Sequence, residues 1–505
     1  MPAQHHTLID KIALALLVLT VGVVALYLMR PIADPDFFWH LKTGQWILQH
    51  QSLPASDPFS LDPPALYNLG ARFILTSYWL SQVIYAAQYS LGGWWGIALL
   101  RLALVGVMAA LFASRCDLRQ PAKVGLLLLV AVQILEVYPL DRPQIISFVF
   151  FAALLVLLDR YRQQNEGENK TALHAVLAAA LMLLWANMHG GFLVGQVTLL
   201  LFLVMEGIKF FSPALSPLSQ RRYRGLIIIV FSGLAASLLN PNAIDSFKVL
   251  VSQGDTNVIF AGTNMEYFSS LRIFREYKDY TVVVNWLMMA LVAVWVLVSF
   301  RRPDITWLAL LAGTAFMGCQ HIRHMPFFLV AALFFLGKCR YEGVIGTIFK
   351  TALVVSSLLA VFWFSREEVP NFQKFVRGQW GVDRSYPVAA ADFVIENNLP
   401  GPVYNTYLWG GYLIWRLGPE RKIYCDGRAL DPARYREYLS STIGATSATP
   451  YWKEIFRKNG IQTAIVQMQE ETGGMNPLAA SLRRDSDWTL VFARDNAAVF
   501  VRKKL

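Results

Sequence analysis

The chain has 505 residues, of which 55% are hydrophobic and only 16% are charged. Soluble proteins carry about 25% charged residues, so this composition excludes a disordered chain or a disulfide scaffold and disfavours a purely soluble enzyme. The net charge is +11, but Lys and Arg concentrate in short gaps between apolar runs. That pattern is typical of membrane proteins, and we expect no nucleic-acid partner.

Eleven apolar segments are predicted to cross a membrane as helices. The first, Ile12–Met29, is an uninterrupted run of 18 residues, about the length that the hydrocarbon core requires. Arg30-Pro31 after it offers no signal-peptide cleavage site. The others, in chain order, are Gly96–Ala113, Val124–Tyr138, Ile145–Leu158, Leu173–Met188, Gly191–Glu206, Leu226–Leu239, Tyr280–Phe300, Ile305–Cys319, Pro326–Gly337 and Val344–Phe364.

The segment Arg72–Tyr89 decides the topology. It mixes aromatic, polar and apolar residues, and we predict a helix at the membrane interface or packed on the bundle, not a spanning one. With the N-terminus inside, the inside segments then carry 15 Lys and Arg, whereas the longer outside loops carry nine. The asymmetry predicts a cytoplasmic N-terminus and an external C-terminal domain. If Arg72–Tyr89 spanned the membrane, every later loop would lie on the opposite side of it.

The composition changes near Ser365, where charged residues, Gly and Pro return. We therefore predict a transmembrane domain, residues 1–364, whose first outer loop covers about residues 31–95, and an outer domain, residues 365–505. In that domain the pattern predicts strands at Lys422–Cys425 and Thr463–Gln467, a hairpin of Trp488–Arg494 and Ala497–Arg502, and helices at Pro387–Asn398 and Pro450–Asn459. A small α/β domain is expected.

The first outer loop opens with Asp34-Pro35-Asp36, followed by Trp39 and His40. Proline fixes an extended or turn-like backbone, so both carboxylates can be presented near one site. Such a pair could bind a divalent metal, or one acid could serve as a general base. The alternative is a helix entry in which Asp36 is the N-cap.

Other outer loops contain groups suited to an anionic ligand. Asn187 and His189 lie in a Gly-rich interruption of an apolar run, where His189 suits a phosphate and Asn187 could instead cap a helix. Arg142 offers a guanidinium group, or an ion pair with Asp141 that holds helices together. His321, Arg323 and His324 form a set of cationic donors, or snorkel to the interface.

Two motifs stand out in the outer domain, Asn405-Thr406-Tyr407-Leu408-Trp409-Gly410-Gly411-Tyr412 and Cys425-Asp426-Gly427-Arg428. Gly-Gly and Asp-Gly dipeptides mark turns. Asp426 and Arg428 could face the membrane site. A structural turn with an ion pair between them is the other interpretation.

Three motifs together resemble a family: Asp-Pro-Asp-x-x-Trp-His-Leu at 34–41, Trp-Ala-Asn-x-His-Gly-Gly at 185–191 and Trp-Gly-Gly-Tyr-Leu at 409–413. With the layout of the chain they resemble the GT-C superfamily of membrane glycosyltransferases, and in particular a group of bacterial glycosyltransferase-like membrane proteins. The resemblance implies an α-helical polytopic fold of about 11 transmembrane helices with a small C-terminal α/β domain. It also implies a bacterial inner-membrane protein with a periplasmic C-terminal domain.

The resemblance further implies a sugar donor linked to a polyprenyl phosphate or diphosphate, a membrane lipid along the bundle, and a glycan, lipid or protein acceptor. An acid of the first loop, Asp36 in preference to Asp34, would act as general base, with inversion at the anomeric carbon. Some members bind a metal such as Mg²⁺ or Mn²⁺ at such an acid pair, so Asp34 and Asp36 are candidate ligands. The candidate substrate-binding residues are His40, Arg142, Asn187, His189, His321, Arg323 and His324.

Two other classes of function compete with a transferase. A transporter or lipid flippase would need polar residues along a path through the membrane, whereas the polar residues here crowd at one predicted face. A non-catalytic membrane scaffold would bind partners through its outer domain. Convergence of the acidic and cationic groups in one cavity would favour the transferase over both.

Overall fold

The computed structural model describes residues 2–61, 69–138, 141–165, 167–168, 170–252, 265–298, 304–378, 380–443, 451–470 and 473–503. The chain forms two compact units. Unit 1 comprises residues 1–30, 94–244 and 257–379, and unit 2 comprises residues 31–93, 245–256 and 380–505. The first outer loop therefore belongs to the same unit as the C-terminal domain.

Unit 1 is helical. Its helices are Pro2–Leu28, the part of Trp79–Ala113 that follows Gly93, Pro121–Val137, Gln144–Arg162, Thr171–Met188, Phe192–Ile208, Gln220–Ser237, Ser270–Tyr277, Thr281–Val298, Ile305–Gln320, Met325–Lys338 and Gly343–Val376. Each of the eleven predicted spans corresponds to one of these helices. Residues 299–303, which include Phe300 and the basic pair Arg301 and Arg302, lie outside the described residues.

Seven helices in the described part of the chain are long and apolar enough to cross a membrane. Helix Gln144–Arg162 is 72% buried within the protein, whereas Lys11–Leu28, Thr281–Val298 and Gly343–Arg366 are 22–28% buried. Their outward faces carry exposed Leu14, Val18, Leu287 and Leu359. An apolar outer surface around a buried central helix is what a bundle solvated by lipid presents. The chain is accordingly a multi-pass membrane protein.

The helix Trp79–Ala113 changes direction at Gly93, whose φ of 55° and ψ of −135° only glycine adopts readily. The break separates residues 79–92, in unit 2, from the spanning part in unit 1. The predicted helix Arg72–Tyr89 is thus divided between Leu69–Thr76 and residues 79–92. Its location at the membrane interface stays a prediction.

Unit 2 packs helices on a four-stranded sheet. The helices are Pro35–His50, Leu69–Thr76, residues 79–92, Asp245–Ser252, Val388–Glu396, Gly410–Leu417, Pro432–Ile443, Tyr451–Lys458 and Pro477–Arg484. The strands are β1 (Val403–Asn405), β2 (Thr463–Gln467), β3 (Trp488–Arg494) and β4 (Ala497–Arg502), in the order β1-β2-β4-β3. Strand β1 runs parallel to β2, and the other pairs are antiparallel.

Most predicted elements of this domain are confirmed. Strand β2 and the hairpin β3–β4 have the predicted bounds, with the turn at Asp495 and Asn496, which both have positive φ. Both predicted helices are present, although Pro450 lies outside the described residues. The predicted strand Lys422–Cys425 is reduced to bridges at Ile423, which pairs with Ser60 on one side and with Val403 of β1 on the other. Strand β1 was not predicted, since it has only three residues.

Candidate functional site

The acidic pair of the first loop lies at the start of helix Pro35–His50. Asp34 is the N-cap, and its carboxylate accepts a hydrogen bond of 2.8 Å from the backbone N–H of Asp36. Pro35 occupies the first helical position, where its fixed φ and missing N–H cost nothing. The N-cap is therefore Asp34, not Asp36 as the helix-entry alternative had it. Asp36 is half-buried in the first turn, where the helix dipole favours a carboxylate.

The carboxylate of Asp36 is oriented by its own helix and lies against the C-terminal domain. The indole Nε1 of Trp39 donates to its Oδ1 at 3.1 Å. Gly427 lies so close that a Cβ there would be 2.3 Å from the same oxygen. Burial raises the pKa of Tyr407, and the neighbouring Cys425 and Asp36 raise it further, so this hydroxyl stays protonated beside the carboxylate.

The glycines of the two C-terminal turns permit this approach. A Cβ at Gly411 would be 2.1 Å from the carbonyl oxygen of Pro35, between the two acids. A Cβ at Gly410 would be 2.3 Å from the carbonyl oxygen of Cys425, where the second turn begins. The segments 34–36, 409–412 and 425–428 therefore meet within unit 2. A larger residue at Gly410 or Gly411 would push them apart.

A buried charge cluster anchors the second turn. The guanidinium of Arg428 donates to Asp426 at 2.7 and 2.9 Å and to Asp57 at 2.9 and 3.0 Å. The side chains of Arg428 and Asp57 are 1% and 0% exposed. Burial alone would lower the pKa of Arg428, but the two carboxylates raise it, so the group stays charged. The structural ion pair Asp426–Arg428 is present, and Asp57, which sequence reasoning missed, completes it.

His40, a predicted substrate-binding residue, is 3% exposed inside unit 2. Its Nδ1 lies 3.2 Å from the amide nitrogen of Gln82, and its ring lies against those of Trp39 and Tyr78 at centroid distances of 3.5 and 5.1 Å. These contacts place His40 behind Trp39, which orients Asp36. The predicted contact of His40 with substrate stays a prediction.

His189 is held in unit 1 by the loop between helices Thr171–Met188 and Phe192–Ile208. Its Nδ1 accepts the backbone N–H of Gly191 at 2.9 Å and lies 2.7 Å from the hydroxyl of Ser147. Ser147 in turn accepts from the indole of Trp185 at 2.7 Å, so its own proton points to His189. Burial, Arg323 and His324 lower the pKa of His189 to about 3. The imidazole is neutral and its ring proton is on Nε2.

Arg323 and Arg142 are the cationic groups near His189; together with His324 they form the cluster around His189. The Arg323 guanidinium lies 4.7 Å above the ring of Tyr267, whose carbonyl oxygen is 2.8 Å from Nδ1 of His321. Arg142 forms an ion pair with Glu266. Burial alone would raise the pKa of Glu266, but the charges of Arg142 and Arg323 hold it below its ordinary value.

His324 and Asp141 complete this part of unit 1. Burial and the charge of Arg323 lower the pKa of His324 to about 3. Asp141 pairs with Arg101, at 2.5 Å, and not with Arg142. The predicted ion pair between Asp141 and Arg142 is therefore wrong, because the two neighbours in sequence have different ionic partners, and the contact of Arg142 with phosphate stays a prediction.

Asn187 closes the helix end beside His189. Its amide nitrogen donates to the carbonyl oxygens of Leu183 at 2.8 Å and Leu239 at 2.9 Å. These bonds tie the end of helix Thr171–Met188 to the segment after Gln220–Ser237. They support the helix-breakpoint interpretation of Asn187, and its predicted contact with substrate stays a prediction.

The predicted site residues thus fall into two groups. Asp34, Asp36 and His40 cluster in unit 2, and the remaining candidates lie in unit 1, which brings Arg142, His189, Arg323 and His324 into one electrostatic environment. Ser147 and Asp57 were missed. No local pattern marks them, because Ser147 contacts His189 at a separation of 42 residues and Asp57 pairs with Arg428 at a separation of 371 residues.

A metal site was tested against the donor set. Within the described ranges, no group of three or more His, Cys, Asp or Glu side chains lies close enough together to hold a metal ion. The carboxylate of Asp34 already caps a helix, and Asp57 and Asp426 are occupied by Arg428. One or two carboxylates together with substrate phosphates and waters are the usual ligands of Mg²⁺, so a metal held by Asp34 and Asp36 stays a prediction.

No protein-family model matches the chain, and no curated protein matches it in sequence. Solved structures do. The archaeal oligosaccharyltransferase AglB from Archaeoglobus fulgidus, in complex with an inhibitory peptide and a dolichol-phosphate, superposes with a TM-score of 0.55 at 9% identity, over 97% of this chain and 74% of that one. The A. fulgidus enzyme tethered to an acceptor peptide gives 0.53 at 12% identity, with the same coverage.

ArnT from Cupriavidus metallidurans, bound to undecaprenyl phosphate, gives a TM-score of 0.49 at 12% identity, over 96% of this chain and 97% of that one. The A. fulgidus enzyme has also been solved with Zn and sulfate. At identities this low, likeness concerns the fold alone. This chain, an apolar helical bundle with a small C-terminal sheet domain, shares its fold with the A. fulgidus enzyme, and the fold class that the sequence predicts is confirmed.

Proposed function

We propose that this protein is a membrane glycosyltransferase that transfers a sugar from a polyprenyl-phosphate or polyprenyl-diphosphate donor to an acceptor at the outer face of a bacterial inner membrane. The observation that carries the proposal is the environment of Asp36. On a GT-C fold, a half-buried carboxylate at a helix N-terminus is oriented by Trp39 and lies against Gly427 of a C-terminal turn. A helix entry alone would not require a glycine of the C-terminal domain beside this oxygen.

In the proposed reaction Asp36 is the general base. Its carboxylate takes the proton of an acceptor hydroxyl, whose oxygen forms a bond to the anomeric carbon of the donor sugar. The bond from that carbon to the phosphate oxygen breaks, and the polyprenyl phosphate or diphosphate leaves. A single displacement of this kind inverts the anomeric configuration.

The cationic cluster of unit 1 is proposed to bind the phosphate of the donor. Arg142 and Arg323 supply positive charge, and the neutral His189 and His324 supply N–H donors without adding charge. Charge that develops on the leaving phosphate would be stabilised by such fixed donors, which need no reorganisation during the reaction. When a phosphate binds, it would replace Glu266 as the ionic partner of Arg142.

The acceptor is proposed to be a glycan, a lipid or a protein. The A. fulgidus enzyme was solved with an inhibitory peptide and a dolichol-phosphate, and also tethered to an acceptor peptide, which supports a lipid-linked donor in general but does not choose an acceptor for this chain. We also propose that the C-terminal domain is periplasmic. The chemistry above uses no metal, and a role for one is tested directly below.

The test uses the purified full-length protein in nanodiscs with a panel of polyprenyl-phosphate sugars. Release or transfer of labelled sugar is measured for wild type, Asp36→Asn and Asp34→Asn, with and without EDTA. We expect Asp36→Asn to lose roughly a hundredfold or more of the rate, as general-base variants do. Asn is as good an N-cap as Asp, so Asp34→Asn keeps the turn and reports only on chemistry at that residue.

The matched control is Asp487→Asn, the same change at an exposed acid of the C-terminal domain. It should keep full activity. Loss in Asp34→Asn with Asp36→Asn active would assign the base to the other acid, and inhibition by EDTA would add a metal to the mechanism. Donor binding absent from wild type, with both Asn variants indistinguishable from it, would reject the transferase in favour of a transporter or a scaffold.

A further inference from the structure

A second polar site lies in unit 1, far from the cluster around His189. Helix Gln144–Arg162 connects the two places: Ser147, near its start, contacts His189, and Asp159, near its end, pairs with Arg115. At 1.5 Å per residue these contacts are roughly 18 Å apart along the helix. Arg115 lines a cavity of about 780 Å³ at this end of the bundle.

The cavity has one basic wall. Five of its lining side chains are cationic, namely Arg115, Lys123, Lys338, Arg340 and Lys350, against the two acids Asp117 and Glu342. Asp159 compensates Arg115 and Lys338. Arg340 and Lys350 are exposed and form no ion pair with any residue that the structure describes. Lys123 donates to the carbonyl oxygens of Leu336 and Cys339 and lies 4.2 Å from the ring of Tyr341, so it too lacks a carboxylate.

The other wall is apolar and continues onto the outer surface of the bundle. Ile12, Val354 and Val355 line the cavity, and Ile12 and Val355 are 41% and 49% exposed. They belong to helices Pro2–Leu28 and Gly343–Val376, whose outward faces are among the least buried of the spanning helices. A ligand that contacts both walls of the cavity therefore needs an anionic head and a long apolar body.

We propose that this cavity binds an anionic membrane phospholipid, with its phosphate on Arg340, Lys350 and Lys123 and its acyl chains on the helices of Ile12 and Val355. In the predicted topology the segments Ser114–Lys123 and Lys338–Gly343 both face the cytoplasm. Basic pockets between transmembrane helices at that face bind anionic headgroups, and the negative leaflet surface concentrates them there. The site is distinct from the groups proposed to act in sugar transfer.

The test is native mass spectrometry of the full-length protein in detergent with dioleoyl-phosphatidylglycerol and, separately, dioleoyl-phosphatidylcholine. We expect tighter binding of the anionic lipid. Each basic side chain near a membrane surface contributes roughly fivefold in affinity, so Arg340→Ala/Lys350→Ala should weaken it roughly 25-fold. Because both side chains are exposed, the variant should fold normally. The charge-preserving Arg340→Lys/Lys350→Arg variant should restore binding.

The matched control is Arg221→Ala/Arg224→Ala, which removes two exposed positive charges at the start of helix Gln220–Ser237, outside the cavity. It should bind phosphatidylglycerol like wild type. Equal binding of both lipids by wild type, or an unchanged affinity in Arg340→Ala/Lys350→Ala, would overturn the proposal. Displacement of the lipid by an equal concentration of inorganic phosphate would assign the cavity to a free phosphate instead.

Discussion

At the scale of single residues, Asp34 and Asp36 are close in sequence but differ in their hydrogen-bond partners. Asp34 is buried and caps its helix, whereas Asp36 is half-buried beside Trp39 and Gly427. The backbone geometry around Pro35 makes this division. An N-cap carboxylate must point back over the first turn, which leaves the next acid in the helix to project from it.

The two histidines with lowered pKa values predict a dependence of stability on pH. In the folded state the pKa values of His189 and His324 are about 3, against an ordinary value near 6.5. Below about pH 6.5 the unfolded chain therefore binds protons that the folded chain does not, so stability falls as the pH decreases from 6.5 toward 3. Above that window these groups add no pH dependence.

Thermal unfolding midpoints between pH 8 and 5 measure this effect, with roughly one-unit steps sufficient to resolve it. We expect His324→Gln to make the decrease shallower. His50→Gln, at an exposed histidine of unit 2, is the control and should keep the wild-type slope. A wild-type midpoint that does not change from pH 7 to 5 would contradict the prediction.

At the scale of elements, a single residue, Gly93, accounts for the break in helix Trp79–Ala113. Gly92 and Gly93 are adjacent and neither has a heavy atom within 4 Å of a Cβ, but only Gly93 has positive φ. Steric room is therefore not the issue at either position. The backbone conformation at Gly93 is closed to residues with a Cβ, and the direction of the chain changes there.

The pair supplies its own control. Gly93→Ala should destabilise the protein by about 1–2 kcal/mol, because alanine must adopt a left-handed conformation or remove the break. Gly92→Ala lies in ordinary helix and should be neutral or stabilise by up to about 1 kcal/mol. Thermal unfolding of the two variants in the same detergent measures the difference. Equal midpoints would mean that the helix can straighten without cost.

At the scale of the whole molecule, unit 2 is assembled from segments far apart in the chain. The backbone N–H of Ile32 donates to the carbonyl of Gly381, the carbonyl of Ile32 accepts from the N–H of Asp383, and Asp57 pairs with Arg428. The C-terminal domain therefore includes the first outer loop as part of its packing. A division of the sequence at residue 364 assigns these segments to different domains, since composition carries no information on such pairs.

Removing the buried cation should show how strongly this assembly depends on it. Arg428→Met leaves Asp57 and Asp426 buried without their partner, and a broken buried ion pair costs about 3–5 kcal/mol. Hydrogen exchange should rise first around Asp57 and Asp426. Arg421→Met, at a half-buried arginine whose partners are Asn398 and the carbonyl of Leu399, is the control and should cost less. Equal exchange in both variants would contradict a special role for the cluster.

The sequence by itself determined the membrane class, the helices at the eleven apolar runs and the hairpin at the C-terminus, and it singled out the segments 34–36, 409–412 and 425–428, which meet in the structure. These features depend on local quantities: the length of apolar runs, alternation along a strand and glycine in turns. Only the tertiary structure decided which acid caps the helix, that Asp57 neutralises Arg428, and that Asp141 pairs with Arg101. Ionic partners are chosen by proximity after folding, and the same charges in sequence are compatible with many pairings.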